Sequence, residues 1–404
     1  MQKGKNTVLV GLTCFLLLLG VFPHPTLAFG AVYKVNPSGD STGVEDVENI
    51  RAALEAAGSG TVKLSKGDFY LADTISISGF DGTLKGVDSK SVLHAIGAID
   101  TLFAFETLDC SKLTVEKLTF TTELESVTAL EIITNGDISI KHCDFYDFEV
   151  GIATYDNIDS TIIVTQNEFY DVGHAIYLGG PYENCEIRVS HNTIDTVRHG
   201  VEVYDLVDSQ VTISHNTIVG VYDSAETFQT GAAIMVCQAS QFGANGLVAI
   251  LFNEIQGYTR WDWGYDMVNV LDFGPLYTGE YGNLEIIIAF NRIELDESLW
   301  GGIGVHGGFT DTWIAYNEVS GSGCSAIYIA FWSLWGLESQ KDAKLILNDV
   351  SDFSAVPVPG WIDPTAPIWI GPGVTESLII AKGDPATVLD VSGSNTVIFI
   401  GHWS

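Results

Sequence analysis

Basic residues are scarce in this chain: 18 Lys and Arg stand against 51 Asp and Glu among 404 residues, a formal net charge of −33. No lysine occurs between Lys141 and Lys341. Because a strongly acidic protein repels polyanions, nucleic acid and anionic membranes are excluded as expected partners. A polyanionic substrate is also disfavoured unless a divalent cation bridges the charges.

Long apolar runs are missing after residue 28, where none reaches the roughly 18 residues of a membrane-spanning helix. We therefore expect no membrane span. Residues 1–28 instead have the pattern of a secretory signal peptide, with two early lysines, an apolar run from Val8 to Val21 and a cleavage site at Thr26-Leu27-Ala28. We predict one domain over residues 29–404, exported to the medium or cell surface as a monomer.

Cysteine patterns and helical periodicity are also nearly absent. Five of the six Cys follow residue 28, an odd number at irregular spacing that fits neither a disulfide framework nor a Cys-based metal site. Residues 44–57 form the one convincing amphipathic helix, ended by Gly58. An all-helical fold is thereby excluded, and this helix is placed to cap the first strands.

The feature that is present is a repeated tripeptide, Asn-x-Ile, Asn-x-Phe or Asn-x-Val. Its copies begin at Asn167, Asn192, Asn216, Asn253, Asn291, Asn317 and Asn348. The shortest steps between copies are 24 to 26 residues, which is a solenoid period. A short apolar strand precedes each copy and a Gly- or Ala-led strand follows it. Three short strands per repeat predict an all-β fold, a parallel β-helix whose coils stack on one another.

The repeated asparagines have a predicted structural role. A side-chain amide carries both a donor and an acceptor, so copies stacked at the strand spacing can bond to each other and to corner backbone groups. The residues just before the corners are predicted to stack into a surface column, on the side without insertions. They are His142, Gln166, His191 and His215.

The start of the predicted domain resembles a known family. The runs Asn49–Leu54, Gly60–Leu64 and Gly67–Tyr70 are similar to the opening of pectate-lyase-like proteins, and the later coils are similar to that superfamily's repeats. The resemblance implies a right-handed parallel β-helix. It leaves the activity open, because the superfamily includes lyases, hydrolases, epimerases and non-catalytic proteins.

Insertions collect beside one predicted sheet, which we call the front sheet. Its strands contain the inward residues Ile152, Ile176, Val201, Ile234, Val268, Ile303, Ile327 and Ile368. The flanking loops at 221–231, 256–266, 272–283 and 331–343 lengthen while the tripeptide corner does not. Because loops that grow around one face of a regular scaffold usually build a site, we expect a groove there. All nine Trp follow residue 260, and aromatic rings suit sugar faces.

Strand alternation then nominates the residues of the groove. A carboxylate pair drawn from Glu202, Asp205 and Asp272 is the expected acid and base of a glycoside hydrolase. His199 or Tyr204 is the alternative base of a lyase. Glu202 and Asp205 are also a candidate calcium site. The predicted substrate-binding residues are Tyr177, Arg198, Trp261, Trp263, Asn269, His306 and Tyr328.

Three functions stay open from the sequence: a polysaccharide hydrolase, a polysaccharide lyase, and a non-catalytic glycan-binding or surface solenoid. The Arg-x-Pro-x-x-Arg motif of pectate lyases is absent. The Asn-Thr-Asp, Asp-Asp and Gly-His-Gly motifs of polygalacturonases are absent too, and Arg198-His199-Gly200 matches only part of the last. The sequence therefore predicts that the partner is a polysaccharide, but it does not identify the sugar.

Overall fold

The computed structural model describes residues 30–400, apart from residues 89, 108–110, 222–230, 239–244, 258–265, 273–282, 297, 299, 308, 310, 331–341, 357–365, 372–373 and 383. The predicted signal peptide lies outside the described residues. In the part of the chain that is described, no helix has the length and apolar character needed to cross a membrane.

Two long parallel sheets run through the described chain, as a parallel β-helix requires. The back sheet has 14 strands, and each pairs with the strand one coil later. Its strands are Val32–Val35, Thr61–Leu64, Thr83–Lys85, Lys112–Glu116, Asp137–Lys141, Thr161–Thr165, Glu186–Ser190, Ser209–Ser214, Asn245–Leu251, Asn283–Ala289, Asp311–Ala315, Lys344–Ile346, Leu378–Lys382 and Thr396–Ile400.

The second sheet has 21 strands and contains both the tripeptide corners and the front sheet. The corner strands are Gly67–Leu71, Ser91–Ala95, Thr119–Thr122, Asp144–Tyr146, Thr217–Val221, Glu254–Gly257, Arg292–Leu295, Glu318–Gly323 and Phe353–Ala355. The front strands are Ile75–Ser78, Thr101–Thr107, Thr128–Thr134, Val150–Tyr155, Ala232–Gln238, Val268–Asp272, Ile303–His306, Ile327–Ala330, Ile368–Ile370 and Val388–Asp390. Two long strands, Glu168–Gly179 and Thr193–Tyr204, run through corner and front alike.

The front-sheet register agrees with the prediction at every coil that was marked. The eight inward residues from Ile152 to Ile368 are successive Cα partners across the sheet. Their side chains are buried in one continuous apolar core. The corner strands contribute a stack of aromatic rings to this core. The ring centroids of Phe120 and Phe145 are 4.9 Å apart, and those of Phe145 and Phe169 are 4.8 Å apart.

The asparagine ladder is confirmed by its hydrogen bonds. Asn216 Nδ2 donates to the Val189 carbonyl and to Asn253 Oδ1, both at 3.0 Å. Asn216 Oδ1 accepts from the backbone N–H and Nδ2 of Asn192, again at 3.0 Å. Cys143 occupies the same slot before Asn167 and is fully buried. These side chains hold the coils together and do not face the groove.

The predicted surface column is confirmed at His191 and His215. The rings of His191 and His215 stack at 5.0 Å between centroids with an interplanar angle of 2°, and both residues are exposed. Phe252 continues the column at 5.1 Å. The column lies just before the corners, where each of these residues has a positive φ.

The described chain also contains one α-helix, one 3₁₀ turn and a pair of short strands. The α-helix spans Val44–Ala57, as predicted, and buries Val47, Ile50 and Leu54 against the first strands. Its Asp46 carboxylate accepts hydrogen bonds from the backbone of Ser38 and Tyr70. A 3₁₀ turn spans Pro385–Thr387, and two short strands, Tyr182–Glu183 and Leu206–Val207, pair beside the front sheet.

Candidate functional site

The outward residues of the front sheet form one column. Each residue of this column is the Cα partner of the next, from one coil to the following coil. The column runs Tyr177, Glu202, Met235, Asn269, Gly304, Tyr328 and Trp369. Because successive strands lie about 4.8 Å apart, Glu202 and Asn269 are separated by about 10 Å.

Glu202 is the centre of a polar cluster at one end of this column. It is only 2% exposed, although it points away from the core. His174 Nδ1 lies 2.5 Å from its Oε2, and the Tyr204 hydroxyl donates to its Oε1 at 3.0 Å. His199 Nδ1 is 3.6 Å from the same Oε1. We call these four residues the Glu202 cluster.

Strand register explains how the two histidines meet. His174 and His199 are Cα partners in neighbouring strands, and their rings stack at 4.8 Å with an interplanar angle of 8°. Glu202 follows His199 by three residues on the same strand. Strand register therefore brings His174 next to His199, and closeness in sequence brings Glu202 next to His199. The cluster depends on both.

An ion pair supports the cluster from its corner side. The Arg198 guanidinium is buried and pairs with Glu149 Oε1, and that oxygen lies 4.0 Å from His174 Nε2. Gly173 makes room for this arrangement, because a Cβ there would lie 2.3 Å from the Arg198 terminal nitrogen. Arg198, predicted to bind substrate, is therefore placed where it positions Glu149.

The electrostatics of the cluster favour a charged Glu202. Burial alone would raise its pKa, but the charges of His199 and His174, together with hydrogen bonds from His174 and Tyr204, hold the pKa below its usual value. Burial and the nearby Glu202 carboxylate raise the pKa of Tyr204. Tyr204 is therefore a stable hydrogen-bond donor to an ionised Glu202 at neutral pH.

A row of half-buried tyrosines lies beside the Glu202 cluster. The ring centroids of Tyr155 and Tyr177 are 5.8 Å apart, and those of Tyr177 and Tyr204 are 5.3 Å apart. Each ring offers an apolar body and a polar tip, which suits the faces and hydroxyl edges of sugars. The predicted binding residue Tyr177 thus lies at the centre of an aromatic row.

A second polar pair lies further along the column. Asp266 Oδ2 is 2.9 Å from His306 Nε2, and Asp266 Oδ1 accepts from the Gly301 backbone at 2.7 Å. Gly304 permits this, because a Cβ at that position would lie 1.8 Å from Asp266 Oδ2. The Tyr328 ring lies 5.1 Å from that of His306 and stacks on that of Trp369 at 4.5 Å.

The other predicted site residues divide into three groups. Asn269 is buried on the predicted face, with no hydrogen-bond partner for its Oδ1 among the described residues. Asp205 ends its strand with a φ of 52°, and its N–H donates to the Cys237 carbonyl. Asp272 lies in register with Gln238, but its side chain is outside the described part, as are Trp261, Trp263 and most of the predicted loops.

The apolar residues Ala232, Met235, Cys237 and Leu271 separate the two polar groups. The Glu202 cluster and the Asp266–His306 pair are therefore distinct centres on one sheet. Sequence reasoning missed His174, Glu149 and Asp266. His174 had a readable signal, since it comes two residues before Ile176, as His199 comes two residues before Val201. Asp266 had the same signal, since it comes two residues before Val268, whereas Glu149 comes three residues before Ile152 and had none.

One group among the described residues has the composition of a metal site. His174, His199 and Glu202 each offer a ligand atom, and these atoms lie within 4.8 Å of one another. Two imidazoles and a carboxylate suit zinc. Asp205 is not in this group, so the predicted calcium pair of Glu202 and Asp205 stays a prediction.

Comparison with known proteins places the fold. The family model for a right-handed beta helix region matches residues 104–243. A comparison of the sequence with curated proteins gives no significant match. The catalytic unit of the thermostable GH87 alpha-1,3-glucanase from Streptomyces thermodiastaticus strain HF3-3 superposes with a TM-score of 0.55 at 16% identity. That match covers 91% of this chain and 66% of the glucanase unit.

A second enzyme has a similar structure. DFA-IIIase from Arthrobacter chlorophenolicus A6 superposes with a TM-score of 0.53 at 11% identity, over 90% of this chain and 98% of that one. Its complex with GF2 gives 0.56 at 13% identity, over 91% and 98%. Identities this low establish the fold alone. With the matched region and the strand register, they confirm the right-handed parallel β-helix.

Proposed function

We propose that this right-handed parallel β-helix protein binds a neutral or weakly acidic polysaccharide over its front sheet and cleaves it at the Glu202 cluster. The observation that carries the proposal is the buried Glu202 carboxylate, fixed between His174 and Tyr204 on the outward side of the sheet. The tyrosine row beside it offers a sugar-binding surface. An alpha-1,3-glucanase with the same fold supports a carbohydrate substrate.

A pair of carboxylates favours hydrolysis. Glu149 Oε1 and Glu202 Oε2 face opposite nitrogens of the His174 ring, at 4.0 and 2.5 Å. They are therefore no more than about 9 Å apart, within reach of the roughly 6.5–9.5 Å that leaves room for a water opposite the scissile bond. Glu202 takes a proton from the attacking water, and the more exposed Glu149, in its protonated form, gives a proton to the departing glycosidic oxygen. We propose this pair in place of one drawn from Glu202, Asp205 and Asp272.

A lyase acting on a uronate fits less well. Such a reaction needs a positive charge to neutralise the substrate carboxylate, together with a base that removes the neighbouring proton. Arg198 is the arginine nearest to Glu202 in sequence, and its guanidinium is already engaged by Glu149. His199 is buried beside Glu202, so a second negative charge from the substrate would be repelled there.

The test is product formation from a panel of neutral and acidic polysaccharides, measured by chromatography with binding measured separately. We expect Glu202→Gln and Glu149→Gln each to lower turnover by roughly 100-fold or more while glycan binding persists. Glu186→Gln, on the back sheet, is the matched control and should behave as wild type. Binding without product from any polymer would support the non-catalytic alternative. If no polymer binds, the groove is not the site.

Export is part of the proposal, because the signal-peptide pattern of residues 1–28 motivates it. The intact gene expressed in a secreting host should yield a protein in the medium whose amino terminus follows Ala28. Retention of the whole product inside the cell, with its amino terminus uncleaved, would contradict this part.

A further inference from the structure

We infer that His174, His199 and Glu202 bind a divalent transition-metal ion of the zinc class. The structure brings two ring nitrogens and a carboxylate oxygen within 4.8 Å of one another, and this is the one such group found among the described residues. Two histidines and a glutamate form a known ligand set for zinc sites that keep a fourth position open. His174 is partly exposed, with a side-chain exposure of 24%, so one of the three ligands is accessible to solvent.

The surroundings of the three ligands are those of a supported metal site. Histidine ligands usually turn their second ring nitrogen toward a carboxylate, which fixes the ring orientation. His174 Nδ1 faces Glu202, and its Nε2 faces Glu149 at 4.0 Å. Arg198 in turn holds Glu149, and the Tyr204 hydroxyl holds Glu202 Oε1. Two of the three ligands thus have a positioning partner.

A small rearrangement admits the ion. Neighbouring ligands of a tetrahedral zinc lie roughly 3.3 Å apart when the bonds are about 2.0–2.1 Å. The 2.5 Å contact between His174 and Glu202 must therefore open by under 1 Å, and a pair of ligand atoms at the 4.8 Å limit must close by about 1.5 Å. The two imidazole planes are nearly parallel, so one ring must turn to aim its in-plane lone pair at the ion. His174 is the ring with room to turn, because His199 is buried.

The donor types decide between zinc and calcium. Calcium takes six to eight oxygen ligands, whereas imidazole nitrogens suit zinc and its neighbours. Glu202 contributes the one carboxylate of this group, and the other two donors are nitrogens. The formal net charge of −33 attracts cations of either kind and so does not discriminate. The site therefore favours zinc over the calcium expected from the sequence.

The role of the ion in catalysis rests on the proposed function, but its binding does not. A zinc ion held by these residues would lower the pKa of a bound water, which would release its proton to solvent and supply a hydroxide as the attacking nucleophile. Glu202 then serves the water side as a ligand, and Glu149 keeps its place facing the leaving group. Metal binding is measurable without any polysaccharide, which separates the two proposals.

The test titrates EDTA-treated mature protein with zinc chloride, and separately with calcium chloride, by isothermal titration calorimetry. We expect one zinc per chain, and no calcium bound at this site. His174→Ala should weaken zinc binding at least tenfold. His191→Ala is the matched control, because it removes one member of an exposed histidine stack of the same geometry, 5.0 Å and 2°. It should leave zinc affinity unchanged.

Cobalt binding gives a second readout on the wild-type protein, independent of whether a variant folds. Visible absorption typical of a histidine-bound tetrahedral cobalt ion supports the site. No zinc binding by wild type, or equal weakening in His174→Ala and His191→Ala, overturns it. Zinc bound without cleavage of any glycan leaves the site standing and removes the proposed function. Full cleavage by EDTA-treated, zinc-free protein removes the catalytic role of the ion and leaves hydrolysis standing.

Discussion

Replacing Asn216 by Leu tests whether the ladder stabilises the coils. The change removes four hydrogen bonds at 3.0 Å, two donated and two accepted by the side chain. It leaves the Asn192 N–H and one Asn192 amide hydrogen buried without these partners, and it takes one donor from the Val189 carbonyl. Each unsatisfied group costs about 1–3 kcal/mol. Burying a leucine returns roughly 2 kcal/mol, so we expect a net loss of about 3 kcal/mol.

Urea unfolding followed by far-ultraviolet circular dichroism measures this loss. Thr217→Leu is the control, because Thr217 is the half-buried next residue and makes no ladder hydrogen bond; it should change stability by under about 0.5 kcal/mol. Glycan cleavage per folded molecule should not change in either variant, because neither faces the groove. A loss below about 1 kcal/mol in Asn216→Leu would show that the ladder bonds contribute little beyond what water provides.

Three further changes follow from individual contacts. Cys143→Asn places an amide where the ladder lacks one, beside Asn167 Oδ1, and should raise unfolding stability by about 1 kcal/mol in the same urea assay; a loss would mean that the slot is too small. Gly304→Ala would place a Cβ 1.8 Å from Asp266 Oδ2 and should separate Asp266 from His306, lowering stability by roughly 2–4 kcal/mol; an unchanged urea midpoint would contradict this packing. Burial raises the pKa of the Cys143 thiol to about 12, and the described cysteines are all buried. In a Cys110→Ser protein that starts at residue 29, and so lacks Cys14, a disulfide reagent should therefore label no cysteine between pH 7 and 9 until urea is added. Labelling that rises with pH in folded protein would show an accessible thiolate.

The fold was readable from the sequence because one physical constraint repeats along much of the chain. A buried corner favours a side chain with donor and acceptor, so Asn returns at seven successive corners from Asn167 to Asn348, and the apolar strands keep a fixed spacing from it. Ile152 and Ile368 are more than 200 residues apart, yet both were placed correctly on the same inward column. At Cys143 the strands keep the same spacing around the corner, although a cysteine takes the place of the asparagine.

The site was only partly readable, because alternation predicts direction and not contact. It placed Glu202 and Tyr204 on the outward face and counted Asp205 with them. The chain, however, turns at Asp205 with a positive φ, so alternation ends there. Arg198 was assigned to substrate, yet Gly173 lets it reach back two coils to Glu149, a contact that no single strand encodes.

The β-helix geometry itself explains where convergent chemistry arises. Along one strand, outward neighbours are two residues apart and diverge; across strands, partners are held about 4.8 Å apart. Three groups meet closely only when a strand contributes a residue near its end and the neighbouring coil contributes the register partner. His199 and Glu202 on one strand with His174 on the next satisfy this condition. The condition is not met around Met235 and Leu271, which pack with Ala232 and Cys237 in an apolar group between the Glu202 cluster and the Asp266–His306 pair.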